Sequence, residues 1–389
     1  MRKLLFLFVI VNISNVCSAQ DTTKKKSPYE IKNPTISVVI PPATKDNSGI
    51  NFSTQFRGAK AVPDSVIDKR EKHLKNIRQL SFEGENAEAY LSPDEKHLVF
   101  QARGEGTGVC DQIFTMTLDG KNVKRISTGF GRTTCGYYLP SGDKILFSST
   151  HEMYNGECPL EPDRSKGYVW PLYKGYDIHI ADTSGKLIGR LTQDSLYYDA
   201  ETTVSPTGDR LVLTSTRSGD IDLYSCKLDG TDPKQLTTEI GYDGGAFFSL
   251  DGKKVVYRAS RPQGEELKEY KYLLKQGLIR PKSLEIMIMD ADGSNKKQVT
   301  ANGKANFAPF FFPSGKRIIF SSNMDDPKGR EFDIYAIDVD GKNLERITYA
   351  DGFDGFPMFT KDGKHLVFCS NRNGSHPHST NVFVADWVE

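Results

Sequence analysis

Net charge is nearly missing from this chain. Lysine and arginine number 51 and aspartate and glutamate 50, a formal +1 over 389 residues. Without a field of one sign, the composition gives no reason to expect nucleic acid or an anionic membrane as partner. Long apolar runs are missing too: past residue 13 no stretch is long enough to span a bilayer. Neither a Gly-x-Ser-x-Gly elbow nor a His-Glu-x-x-His pair occurs, so the usual signatures of a serine nucleophile and of a helix-borne zinc hydrolase are absent. The stretch Gly104-Glu105-Gly106-Thr107-Gly108 lacks the following helix that a phosphate loop needs, and reads as a turn. These gaps name no catalytic residue and leave binding as the first expectation.

Residues 1–19 carry the parts of a secretory signal: Met1-Arg2-Lys3, an apolar stretch over 4–13, and the small residues Cys17-Ser18-Ala19. Cleavage after Ala19 is expected, giving an exported chain without a transmembrane helix. Asn15 and Val16 stand where a lipidated cysteine needs small residues, so anchoring through Cys17 is not expected. Residues 20–75 read as a polar tether rich in Lys, Thr, Pro and Ser. Short strands are expected over 36–40 and 50–56, and a short helix over 63–76.

What the chain does have is one phrase written six times. The copies open with Ser92-Pro93-Asp94, Leu139-Pro140-Ser141-Gly142, Ser205-Pro206-Thr207-Gly208, Ser249-Leu250-Asp251-Gly252, Phe312-Pro313-Ser314-Gly315 and Thr360-Lys361-Asp362-Gly363. Each is a turn followed by a β-rich apolar run, which is a hairpin signal. The second residues of the copies lie 47, 66, 44, 63 and 48 apart. Repeats of that length build solenoids, arrays or propellers, and the two long intervals are a blade plus an insertion. Two more strand phrases follow each copy, as in Phe332-Asp333-Ile334-Tyr335 and Glu345-Arg346-Ile347-Thr348. With the strand before the turn, that makes four antiparallel strands per unit. The sixth unit runs out after its third strand, over 381–387, whereas 77–81 offers a fourth strand ahead of the first unit. The expected fold is all-β: a six-bladed β-propeller over 76–389, closed by an N-terminal strand that completes the last blade. Closure of this kind removes the exposed sheet edge.

In such a ring one face collects the blade-to-blade connections and the loops between second and third strands. Both insertions, 151–174 and 261–282, rise from it, and loops on a rigid scaffold are where binding concentrates. Seven positions before the second residue of each phrase stand Asn86, Thr133, Asp199, Asp243, Asn306 and Asp354. Inner strands line a propeller's channel, so this column would ring the channel mouth, with Glu88 and Glu201 one pleat further in. Two readings stay open. The side chains cap turns and tie blades together, or they form an acidic rim that holds a cation, a basic peptide end or a polar ligand. On the second reading, Asp199, Asp243 and Asp354 converge beneath Tyr168 and Trp170.

The first insertion carries Arg164, Tyr168 and Trp170, residue types that binding surfaces favour; the alternative is that these aromatics form a private core. The second has Leu267, Tyr270 and Leu274 at helical spacing before Gly277, a helix expected to pack on the rim. His151, Glu152, His376 and His378 are candidate metal ligands above the channel. No motif calls for any other cofactor. Five cysteines remain after signal cleavage, and an exported chain permits disulfides. Cys110, Cys135 and Cys158 are the candidates for one bond, with Cys135 expected in it because it sits at the channel end of its strand. Cys226 and Cys369 read as buried thiols.

The Ser-Pro-Asp and Ser-Gly-Lys turns, with the Leu-Asp-Gly and Arg-Ile-Thr phrases after them, resemble the WD40-like repeats of TolB-type six-bladed propellers, over residues 76–389. That resemblance implies a periplasmic location and protein partners engaged through the propeller. TolB proteins also carry a separate N-terminal α/β domain, for which residues 20–75 are too few and too polar. The same propeller accompanies peptidase domains in prolyl oligopeptidase-like enzymes, whereas this chain ends at the ring. The function expected is an exported, non-enzymatic module that binds an envelope or secreted protein, or a small polar ligand. The competing expectation is an enzyme of the channel mouth, such as a metal-assisted polysaccharide lyase or hydrolase.

Overall fold

The computed structural model describes residues 54–104, 107–194, 196–376 and 379–389. The expected signal peptide, the strand expected over 36–40, most of 50–56 and His378 lie outside them. Six antiparallel sheets follow one another along the chain, which is the six-bladed propeller the repeats call for. The fifth sheet shows the plan: Asn306–Phe311, Arg317–Ser322, Asp333–Asp338 and Glu345–Arg346 pair in that order. The sixth runs Asp354–Phe359, His365–Ser370, Asn381–Trp387, Leu74–Gln79 and Lys60–Ala61. In it the N-terminal strand lies antiparallel to the C-terminal one, with Arg78 opposite Val384 and Gln79 opposite Phe383.

In three copies the turn is held by the same side-chain device, a Ser or Thr bonded to an Asp two residues on. In the first copy Ser92 Oγ donates to Asp94 Oδ1 (2.6 Å), while the N–H groups of Lys96 and His97 donate to Asp94 Oδ1 (3.1 Å) and Ser92 Oγ (3.0 Å). Ser249 with Asp251 and Thr360 with Asp362 repeat the device. Such local bonding is what makes Ser, Thr and Asp turn formers. The apolar runs that follow are fully buried, as with Leu98, Val99 and Phe100, and pack between neighbouring sheets.

Each inner strand is broken at the same place. The register with the second strand slips between Ala87 and Tyr90, Thr134 and Tyr137, Ala200 and Thr203, Gly244 and Phe247, Phe307 and Phe310, and Gly355 and Met358. These are β-bulges, which re-aim side chains and bend the strand. At every bulge one residue is left-handed: Glu88, Cys135, Glu201, Gly245, Ala308 and Phe356, with φ between 49° and 59°.

Over 63–76 the helical part is the 3-10 helix Asp64–Val66, which precedes the strand Leu74–Gln79. Glu71 then anchors the chain. Its buried carboxylate accepts from Arg372 Nη1 and Nη2 (2.8 and 2.9 Å) and from the Tyr349 N–H (2.9 Å), and these anchors draw the chain along the last blades. Phe56 packs on Phe100 with ring centres 5.6 Å apart, so this stretch too is held on the ring.

The two insertions meet. Trp170–Pro171 and Leu278–Ile279 form a two-stranded sheet, with Ile279 opposite Trp170. The helix Gly264–Lys275 packs beneath it through Tyr270, with Leu267 and Leu274 alongside, in one apolar cluster with Leu172, Ile221, Tyr242 and Ile279. Among the described residues no helix is long and apolar enough to cross a membrane.

Candidate functional site

The column of polar residues at the heads of the inner strands is not an open rim. Asn86, Thr133, Asp199, Asp243, Asn306 and Asp354 are all fully buried. Asp199 accepts from Arg217 Nη2 (2.7 Å), Asp243 from Arg261 Nη2 (2.8 Å) and Asp354 from Arg372 Nη2 (2.8 Å). Asn86 donates to the Glu83 carbonyl (2.8 Å), Thr133 to the Asp111 carbonyl (3.0 Å) and Asn306 to the Leu284 carbonyl (2.8 Å). Of the two readings, the tie between strands and blades is the one the geometry carries. The three acids do not converge on a shared cation, because each already has its own guanidinium. The sequence held the signal for this. Eighteen residues after each acid stands an arginine, and eighteen after Asn86, Thr133 and Asn306 stand Gly104, His151 and Met324.

Residues two further along the strand do reach the channel. The six bulge residues Glu88, Cys135, Glu201, Gly245, Ala308 and Phe356 line a narrow waist. Above it the channel widens into a funnel of about 1440 Å³ including its open mouth. Its walls are aromatic: Tyr168, Trp170 and Tyr173 from the first insertion, Tyr176 just after it, Tyr198 and Tyr242 from blade connections, and Phe307, Phe353 and Phe356. Thus Glu88, Glu201, Thr133, Arg164, Tyr168 and Trp170 come together at one site, whereas Asn86, Asp199, Asp243, Asn306 and Asp354 stay behind it. Sequence reading missed Arg258 as a channel residue, and it placed Cys135 at the channel end only as a disulfide partner. A non-glycine residue in the left-handed region has no local signature, so the bulge was not visible beforehand.

Arg258 organises the floor. It lies nine-tenths buried, and its Nη2 donates to Glu201 and to the Tyr242 hydroxyl (2.8 Å). Tyr242 in turn donates to Glu201 Oε2 (2.8 Å), as does Thr214 (2.8 Å), while the Gly245 N–H adds a third bond (3.0 Å). The guanidinium faces the Trp170 ring at 5.0 Å, which fixes the first insertion over the waist. Trp170 Nε1 donates to the Tyr168 hydroxyl (3.1 Å), and Arg164 stacks on the Tyr168 ring (5.1 Å). These aromatics therefore face the funnel and one another.

Most lining charges are matched. Glu201 has Arg258; Glu85 has Arg103 at 2.7 Å; Asp111 lies between Arg103 and Arg132 at 4.0 and 3.7 Å. Glu88 is different, for it forms no ion pair among the described residues. Burial, with the Glu201 charge adding to it, raises its carboxyl to about 7, although the Cys135 thiol is hydrogen-bonded to it. Burial likewise pushes the Cys135 thiol well above its ordinary value. A half-buried, unpaired acid at the end of an aromatic funnel is equipped to receive a cationic or hydrogen-bond-donating tip.

The disulfide joins Cys110 to Cys158, with Cα atoms 5.8 Å apart, and Cys135 stays free. The expectation that Cys135 takes part fails because the bulge turns its thiol towards Glu88, while the first insertion folds back onto the third strand of blade 1, where Cys110 sits. Cys226 and Cys369 are buried thiols. The metal-ligand expectation is altered as well: His151 and Glu152 come together with His179, not with His376, and none of the three lines the funnel.

Residues 278–382 match the family model described as the TolB beta propeller domain. No curated protein matches the chain. Among solved structures, a putative TolB from Agrobacterium tumefaciens aligns with a TM-score of 0.51 at 19% identity, over 79% of this chain and 92% of that one. TolB from Acinetobacter baumannii aligns at 0.47 and 16%, over 78% of this chain and 64% of that one, just under two thirds of its length. An oligogalacturonate lyase in complex with manganese aligns at 0.47 and 12%, over 80% and 93%. At such identities what is shared is the fold.

Proposed function

We propose that this six-bladed β-propeller, part of which matches the TolB propeller model, is an exported binding module. It takes a cationic tip of an envelope or secreted protein, a lysine, arginine or amino terminus, into the funnel above the channel waist. One observation carries this reading: Glu88 is the funnel carboxyl that has no guanidinium of its own. An incoming cation would supply that partner, and the aromatic wall would shield the pair from water. Cations over Tyr and Trp faces gain roughly 0.5–2 kcal/mol, more as they are desolvated. Arg258 keeps Glu201 neutralised, so the selectivity falls on a single carboxyl. The signal-like residues 1–19 support an envelope or extracellular setting. A lyase or hydrolase of the channel mouth has less support, because the described side chains close enough to share a metal lie outside the funnel.

Fluorescence anisotropy tests the reading. The probes are short labelled peptides that carry lysine or arginine, set against the same peptides with acetyl-lysine or citrulline. Wild type should prefer the charged set, Glu88→Gln should lose that preference, and Trp170→Ala should weaken both sets at least about tenfold. Equal binding of charged and neutral peptides by wild type, or an unchanged preference in Glu88→Gln, would sink it.

A further inference from the structure

Blade 2 departs from its five sister blades at two positions that touch each other. The first is His151. Where blades 3, 4 and 6 place an arginine eighteen residues after the column acid, blade 2 has this histidine after Thr133. The second is His179, opposite Phe147 in the sheet. The equivalent third-strand residues are Phe114, Tyr224, Met287, Tyr335 and Phe383, all large and apolar or aromatic. A buried imidazole in place of a core aromatic costs desolvation unless it is satisfied. The His151 and His179 rings lie 4.3 Å apart, and both residues are 2% exposed.

His151 is oriented from behind. Its Nδ1 lies 2.8 Å from Ser149 Oγ, the same oxygen that accepts its backbone N–H at 3.2 Å. With Nδ1–H donating to Ser149, the lone pair of Nε2 is left bare, and Nε2 is buried with no hydrogen-bond partner. A ligating histidine commonly has this arrangement, one ring nitrogen held by a neighbour and the other free to bind metal. Glu152 follows directly, and ligand atoms of His151, Glu152 and His179 all lie within 4.8 Å of one another.

We propose that His151, His179 and Glu152 form a binding site for a borderline transition-metal dication, zinc above all. Two imidazoles and one carboxylate suit zinc, whereas calcium and magnesium want oxygen alone. Both imidazoles are buried, and a metal takes them in the neutral form. Arg190 is the competitor, since it pairs with Glu152. It also pairs with buried Asp177 and donates from Nε to the Thr192 carbonyl (2.8 Å), so it keeps its place when Glu152 turns to an ion. Two carboxylates facing one guanidinium leave a local charge of −1, which favours a dication. The site is separate from the funnel and independent of its occupant.

Equilibrium dialysis of the chelator-treated full chain against zinc, read by elemental mass spectrometry, tests this. Wild type should bind one zinc per chain and neither calcium nor magnesium. Ser149→Ala should weaken zinc about 10–100-fold, as loss of an orienting partner does. His179→Phe should abolish binding. That variant restores the residue type of the sister blades, so it should fold, and near-UV circular dichroism checks that it does. Glu152→Gln, at an exposed side chain, should weaken zinc without touching the core. Folded wild type that takes up no zinc, or His179→Phe that retains it, overturns the proposal.

Discussion

The guanidinium of Arg258 sits 5.0 Å from the centre of the Trp170 ring while its Nη2 holds Glu201. One side chain from the second strand of blade 4 thus joins an insertion of blade 2 to the inner strand of blade 3. Funnel wall and funnel floor are set by the same contact, so changes that move Arg258 should be felt at both.

Gly245→Ala should move it. Gly245 is left-handed, and a Cβ there would lie 2.8 Å from Arg258 Cζ and 2.9 Å from Nη1. Strain of about 1–3 kcal/mol is expected from the backbone alone. The displaced guanidinium should release Glu201 and Trp170, so charge-selective peptide binding should fall together with the urea midpoint. Retention of both would mean that Arg258 has room this geometry does not give it.

The buried column acids should behave as structural ion pairs. Asp199→Asn leaves the Arg217 guanidinium, with its side chain 5% exposed, without a carboxylate. A loss of about 3 kcal/mol is expected, as for a broken buried pair. The double change Asp199→Asn with Arg217→Met reproduces the Asn306 and Met324 combination of blade 5 and should recover most of that loss. Chemical denaturation of the three proteins measures both, and a single variant as stable as wild type would refute the structural role.

Glu88 should make stability fall as pH rises. Its folded value, about 7, lies above the ordinary 4.5, so between these values the folded chain holds a proton that the unfolded chain has released. Stability from this group is complete below about 4.5, declines through about 7 and is then flat. The decline is on the order of 2–3 kcal/mol. Glu88→Gln should remove it, seen as a smaller gap between unfolding free energies at pH 5 and pH 8. Binding of a cationic peptide should strengthen over the same interval, because ionised Glu88 is the partner. Parallel pH curves for wild type and variant would count against the acid's burial.

Thiol chemistry should separate the cysteines. Non-reduced peptide mapping should find Cys110 linked to Cys158 and the other three alkylated only after unfolding or slowly. Among these Cys135 should react first, since it faces the waist while Cys226 and Cys369 are buried. Breaking the bond with Cys110→Ser should cost roughly 2–4 kcal/mol. A mixed disulfide of Cys135 with either partner would contradict the fold of the first insertion.

Blade number, strand order and the face that carries both insertions follow from the sequence alone. Turns such as Ser92-Pro93-Asp94 satisfy their own backbone, and the apolar runs after them have one way to be buried. These are local properties, repeated six times. The Asp199 and Arg217 pairing was also written there, as a spacing of eighteen, but its meaning depends on two hairpin ends meeting. Tertiary structure alone decided the rest. Ring closure crowds six inner strands around one axis, each relieves the crowding with a bulge, and the bulge turns Glu88, Cys135 and Glu201 inward while Asp199, Asp243 and Asp354 stay buried behind. No propensity marks glutamate or cysteine for a left-handed backbone, so which acids would see the channel was settled only when the ring closed.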